Sequence, residues 1–334
     1  MANSFDPADR NSIHPPNLRD ENIDLQATGG TNFWLNQGFT WFVYLLVIVT
    51  VAVLFAMTWV IFGEAKPAIL HFGLGFLWSK EWDTGKDIYG ALPYIYGTLV
   101  SSLIAIILAV PVGLSIAIVT SENILSDSVK NILAFVVELI AAIPSVIIGL
   151  WGIFVFIPSI EPLQKWLASH LQFIPLFDTP EPVGNNMLTA GVILAIMILP
   201  TMASVSREVL LVVPTELRSA SMALGSTRWE TIFRVLLPSG FSGIVSAAML
   251  ALGRALGETM AVTMVIGNSA QISSSLLAPG YTIPSVLANE FAEAEFGSLH
   301  TGALCYLGLM LFGLTLVINI IAAVLVQVVG SKQE

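Results

Sequence analysis

Six long stretches with few or no charges limit what this chain can fold into. Residues 41–62, 92–121, 183–206 and 301–331 contain no Asp, Glu, Lys or Arg. Each reaches the roughly 20 residues that a helix needs to cross a bilayer. Residues 131–160 qualify once Glu138 is admitted, and 238–267 once Arg254 and Glu258 are. Backbone polar groups in hydrocarbon must find partners within their own segment, so all six are expected to be helical. The composition agrees, with 55% hydrophobic and 11% charged residues. The expected fold class is an all-α polytopic membrane protein of about six transmembrane helices.

The first 38 residues are polar, rich in Asn, Asp and Pro, and lack hydrophobic periodicity. They are expected to form a flexible cytoplasmic tail, ahead of a transmembrane domain over 39–330. They lack the basic start and short apolar core of a cleavable signal peptide, so 41–62 reads as a retained first span. The net charge of −10 comes mostly from acids in loops and in this tail. Cys305 is the single cysteine, and His14, His71, His170 and His300 are far apart. Neither an internal disulfide nor a metal site is expected.

Lysine and arginine counts set the expected orientation. Six spans place both termini and the loops 120–130 and 207–237 on one side. That side holds Arg10, Arg19, Lys130, Arg207, Arg218, Arg228, Arg234 and Lys332. The other holds only Lys66, Lys80, Lys86 and Lys165, so the side with the termini is expected to be cytoplasmic. The opposite loops, 63–91, 161–182 and 268–300, are longer. Phe72, Phe76, Trp78 and Trp82, and the stretch 286–296, fit either an interfacial helix at headgroup level or a landing surface for an external partner.

The most structured loop is 207–237. Leu217, Ala220, Ser221 and Leu224 follow the spacing of one helical face, and Gly225 can end that helix with positive φ. Thr227 and Glu230 have capping-box spacing for a second helix. Pro238 suits the first turn of the next span. The pattern predicts a helix, a glycine turn and a second helix, with a small-residue face suited to a partner's groove.

Three ionisable residues fall inside spans: Glu138, Arg254 and Glu258. A charge at mid-membrane costs on the order of 2.5–3.5 kcal/mol on insertion scales, so each needs a partner or water. On one continuous helix Arg254 and Glu258 would lie a turn apart on the same face. Sixteen residues beyond Pro238, Arg254 would sit roughly 24 Å along it. The pair reads either as a self-neutralising tie between spans or as a polar patch on a translocation path. In the second case Arg254 suits an oxyanion through paired N–H donors. Glu258 would favour an anion that keeps a proton, and Gly253 and Gly257 would allow close helix approach. Glu138, six residues before Pro144, could serve the path or be a structural acid.

The loop resembles the "EAA" loop of bacterial ABC importer permeases. Its register here is Ser219, Ala220, Ser221, Gly225, then nine residues, then Val235-Leu236-Leu237-Pro238. Ser219 stands where the pattern has Glu, and the nearest acid is Glu216. The resemblance implies a coupling helix that docks on an ATPase subunit. No Gly-x4-Gly-Lys-Ser/Thr motif occurs in the chain, so any ATPase would be a separate polypeptide. The run Gly253-Arg254-Ala255-Leu256-Gly257-Glu258-Thr259-Met260-Ala261-Val262 resembles the PstC permease family of phosphate ABC importers. So do Ile143-Pro144-Ser145 with Gly149, Ile283-Pro284-Ser285, Ala288-Asn289-Glu290-Phe291 and the stretch from Leu311 to Asn319.

That resemblance, covering about residues 90–330, implies a type I importer permease in the bacterial inner membrane. Its implied partners are a homologous permease (PstA), two ATPase subunits (PstB), an external phosphate-binding protein (PstS), phosphate and the lipid bilayer, with no nucleic acid. The permease itself would bind no cofactor; the partner ATPase would use ATP and magnesium. Arg254, Glu258, Thr259 and Glu138 are the expected pathway residues. Another oxyanion or solute, or a proton-driven transporter using the same Arg–Glu pair, are the rival readings. A membrane enzyme finds no nucleophile–base pairing to support it.

Overall fold

The computed structural model describes residues 31–330 apart from Asn123. Most of the expected tail, with Arg10 and Arg19, and the terminal Lys332 lie outside the described residues. The chain divides into two units, 1–57 and 58–334. Helix α1, Thr31–Phe72, passes through that division and starts eight residues earlier than the expected span domain. From Gln37 to Met57 every residue is exposed, as an apolar helix facing lipid or another chain would be.

Among the described residues the second unit is built from helices joined by loops. Its elements are α2 (Leu92–Ser121), α3 (Asp127–Ala142), α4 (Ser145–Trp151), α5 (Ile157–His170) and α6 (Met187–Val212). They continue with α7 (Thr215–Ala223), α8 (Arg228–Thr231), α9 (Leu237–Ser239) and α10 (Phe241–Gly257). The last are α11 (Met260–Val265), α12 (Ile283–Glu290) and α13 (Leu299–Gly330). Among the described residues five helical stretches are long and apolar enough to cross a membrane, and six if the pair bent by 71° around Gly240 is one span.

Two expected spans are remade. The expected 131–160 helix breaks at Ile143, whose ψ of 125° is what a residue ahead of proline prefers. α3 becomes a separate helix, and the crossing stretch is Ser145–His170, with a wide π turn at Gly152–Phe156 between α4 and α5. The expected 238–267 helix starts late, at the Gly240 bend, and stops early, at Gly257.

The main core forms where α2 and α6 meet. Ala105, Ala109, Gly113 and Ala117 make a small-residue stripe on α2. Small residues let helix backbones approach closely in a membrane, and a Cβ on Gly113 would meet the Met202 side chain. α10 joins this core through Ile244, Ala247, Ala251 and Ala255. At the start of α6 a buried polar network is fully paired, as a low-dielectric site requires. Gln164 Nε2 donates to Thr189 Oγ1 at 2.8 Å, and Asn186 Nδ2 to Gln164 Oε1 at 2.9 Å. Asn186 Oδ1 accepts from the Thr189 N–H at 3.0 Å.

A second core lies among the opposite-side loops. Phe76, Tyr89, Tyr94, Tyr281 and Leu304 are buried there, with Phe72 and Trp82 packed against them. Trp82 Nε1 donates to Glu290 Oε2 at 2.9 Å, and His300 Nε2 lies 2.9 Å from the same oxygen. These loops are folded structure rather than a helix floating at headgroup level. Of the four aromatics expected at the interface, only Trp78 projects fully, at 76% exposed.

Candidate functional site

The loop between α6 and α10 keeps the predicted plan. α7 ends at Ala223 with Leu224 as its C-cap, and Gly225 follows with φ of +90°. The predicted capping box forms around α8: Thr227 Oγ1 accepts from the Glu230 N–H, and Glu230 Oε2 accepts from the Thr227 N–H at 2.8 Å. Pro238 occupies the first turn of α9, and Leu237 packs against the main core. Ser219 and Ala220 are exposed, whereas Ser221 turns inward, with Oγ 3.0 Å from Thr231 Oγ1. Leu217, Met222, Leu224, Trp229 and Phe233 project outward, Leu224 at 89% exposed. An apolar patch this concentrated, on a short polar loop, has the character of a protein contact.

One tie was not legible in the sequence. Arg218 Nη2 lies 3.2 Å from Glu122 Oε1, just past the end of α2. The same nitrogen donates to the Leu210 carbonyl at 2.7 Å, in the last turn of α6. Cations are favoured at helix C-termini, where carbonyls lack partners. Arg218 thus fixes α7 to both α2 and α6.

The intramembrane charges are arranged differently. α10 buries its alanine stripe, so Ser246, Leu250, Gly253, Arg254 and Gly257 fall on the opposite, exposed face. Arg254 lies thirteen residues beyond Phe241, about 20 Å along α10 rather than 24 Å, because Gly240 restarts the helix. Arg254 and Glu258 do not form the expected helical pair. α10 ends at Gly257, and Glu258 turns away with ψ of 125°. Its Oε1 accepts from the Ala261 N–H at 3.4 Å, at the start of α11. Among the described residues no ion pair joins it to Arg254, so the self-neutralising tie is not what this fold contains. Thr259, in the break between the helices, donates to the Gly257 carbonyl at 3.2 Å.

Arg254 Nη1 instead donates to Thr201 Oγ1 of α6, at 3.3 Å. The rest of its face is open: a Cβ on Gly253 or Gly257 would meet nothing within 4 Å. Beside it lies a mostly apolar groove of about 690 Å³ between α10 and α13, whose lining includes Met249, Leu250 and Val326 as well as Arg254, Asn319 and Gln327. Gly149 has a use the sequence did not reveal. A Cβ there would collide with Met264 and crowd Ala261, so this glycine lets α4 press against α11. Glu138 is not brought to Arg254 or Glu258. It lies on α3 against α6 and shares a recess with Ser204 and Arg207.

Residues 109–333 match the model of the family described as binding-protein-dependent transport system inner membrane component. The phosphate transport system permease protein PstC of Pasteurella multocida (strain Pm70) is 41% identical over 281 residues, covering 83% of this chain and 87% of that protein. The PstC of Mesorhizobium japonicum is 43% identical over 277 residues, covering 81% and 84%. Among solved structures, a bacterial alginate ABC transporter in complex with a pentasaccharide-bound periplasmic protein superposes with a TM-score of 0.54. It has 15% identity and covers 86% of this chain and 95% of its own. The MetNI methionine ABC transporter, inward facing, gives 0.51 at 19% identity, covering 72% and 94%. The two structures establish the type I importer permease fold. The chain belongs to the binding-protein-dependent inner membrane components and, within them, to the PstC permease family.

Proposed function

We propose that this multi-pass membrane protein is the permease subunit of an ATP-driven phosphate importer. The observation that carries the reading is the state of Arg254: a guanidinium in the last turn of α10, on an open face, with the Thr201 hydroxyl as its one hydrogen-bond partner among the described residues. An intramembrane cation left this way faces water or a guest rather than lipid, and its fork of donors suits a tetrahedral oxyanion. The PstC relatives, named for phosphate transport, supply the substrate. Glu258 and Thr259, at the break between α10 and α11, line the same passage. The carboxylate accepts a hydrogen bond from a protonated anion such as H2PO4− and repels a fully charged one.

The exposed side of α7 and α8, with Ser219, Ala220 and Gly225, docks on a separate ATPase subunit that binds ATP and magnesium. A homologous permease covers the open face of α10, and an external phosphate-binding protein delivers the anion to the loops around α12. This places the chain in the inner membrane with both termini and the α7–α8 loop in the cytoplasm, as the lysine and arginine distribution supports.

The test is radiolabelled phosphate uptake in cells without their own phosphate importers, with the neighbouring permease, ATPase and binding-protein genes co-expressed. ATP-dependent uptake insensitive to excess sulfate is expected. A complex that assembles but moves sulfate or another solute, and no phosphate, would overturn the substrate assignment.

A further inference from the structure

α6 carries a second charged position. Thr201, Ser204 and Arg207 follow at three-residue intervals, as neighbours on the helix surface. Thr201 accepts from Arg254, Ser204 is exposed and Arg207 is half-buried. From Thr201 to Arg207 is six residues, about 9 Å along the helix, in the direction of Val212 and the coupling loop. Arg207 borders a recess of about 30 Å³ together with Thr120 of α2, Glu138 of α3 and Ser204. The recess has room for roughly two waters, so a larger guest would sit at its rim.

Arg207 Nε is buried and has no hydrogen-bond partner. Glu138 shares the recess, yet among the described residues no ion pair joins the two. Thr120 is already spent, its hydroxyl donating to the Ile116 carbonyl at 2.7 Å. What is left is an unsatisfied guanidinium donor, an exposed carboxylate and the Ser204 hydroxyl, held only by a long 3.4 Å bond to the Thr201 carbonyl that an anion could displace. Arg254 likewise has a hydroxyl beside it, that of Thr201, and a carboxylate, Glu258, just past the end of its helix.

We propose that Arg207, with Ser204 and Glu138, forms a second station for a tetrahedral oxyanion that retains a proton, between Arg254 and the coupling loop. The inference rests on the reading of Arg254 as part of the passage. An anion leaving Arg254 would be handed along α6 to the rim of the recess, its oxygens accepting from Ser204 Oγ, released from the Thr201 carbonyl, and from Arg207 Nε through a water in the recess. Its own O–H would donate to Glu138. Two stations that each bind weakly hold an anion across the membrane half without trapping it.

The experiment uses the whole complex in proteoliposomes, with binding protein and phosphate as the probe. Arg207→Gln is expected to lower uptake at least tenfold while binding-protein-stimulated ATP hydrolysis persists, and Arg207→Lys to recover part of the uptake. In a Cys305→Ala background, Ser204→Cys is expected to react faster with an anionic than with a cationic methanethiosulfonate, and phosphate to slow that reaction. Wild-type uptake by Arg207→Gln alongside loss in Arg254→Gln would overturn the second station and leave the first reading intact. Wild-type uptake in both variants would remove both. If Arg207→Gln fails to assemble, the cysteine decides: inert to both reagents, it would show that no aqueous path passes Ser204.

Discussion

The coupling loop and the intramembrane face of α10 treat charge in opposite ways. In the loop, Arg218 meets Glu122 and the Leu210 carbonyl, and Glu230 closes a capping box with Thr227. On the face, Arg254 has a single hydroxyl partner among the described residues and Glu258 turns away from it, and between α3 and α6 Glu138 and Arg207 share a recess without pairing. Desolvation is far more severe in the membrane, so a purely structural arrangement would pair charges there first. The reverse is seen. The loop is tied to α2 and α6 through Arg218, as the proposed docking role would require. The face leaves its donors uncommitted, which is what a site needs if its partner arrives and leaves.

The largest effect that can break this contrast lies at Arg254. Arg254→Gln removes a charge-assisted donor, worth about 1.5–3 kcal/mol, and is expected to lower phosphate uptake roughly 10- to 100-fold with assembly unchanged. Arg254→Lys should recover only part of it, because an ammonium lacks the planar fork. Uptake rates at saturating binding protein measure both. Next comes Gly225, whose φ of +90° is strained for any β-branched residue although space is free around it. Gly225→Val is expected to lower coupled uptake several-fold in an inserted, assembled complex. Gly225→Asn should do less harm, since asparagine tolerates positive φ.

Smaller effects sharpen the other half of the comparison. Glu122→Gln leaves Arg218 half-enclosed without its counter-charge. With side chains 19% and 17% exposed, a loss of about 1–2 kcal/mol is expected once solvent screening is allowed for. Adding Arg218→Met should restore part of it, and thermal unfolding of the four members of that cycle measures the coupling. Thr227→Ala, which removes one cap, is expected to cost about 1 kcal/mol and to raise hydrogen exchange across α8 while uptake falls less than in Gly225→Val.

What the sequence made legible was local. The helix after Pro214, the turn at Gly225 and the cap at Thr227 each depend on neighbours within a few positions. The apolar runs made the spans countable. Three features depended on distant chain and were not readable. The end of α10 at Gly257 relies on α11 packing against Gly149 of α4, so 238–267 looked like one uninterrupted helix. Glu138 stands with Arg207 rather than Arg254 because Pro144 detaches α3 and lets it lie along α6. The Arg218–Glu122 tie joins two loops whose spacing carries no motif. The aromatics of 72–89 were ambiguous because burial in a small extramembrane core and placement at headgroups demand the same residues.

The most direct test of the contrast is to measure uptake and ATP hydrolysis together, in the reconstituted complex, for Arg254→Gln and Gly225→Val. Arg254→Gln is expected to keep binding-protein-stimulated ATP hydrolysis while phosphate moved per ATP collapses, and Gly225→Val to lose much of the stimulation itself. Wild-type phosphate per ATP in Arg254→Gln would contradict the contrast.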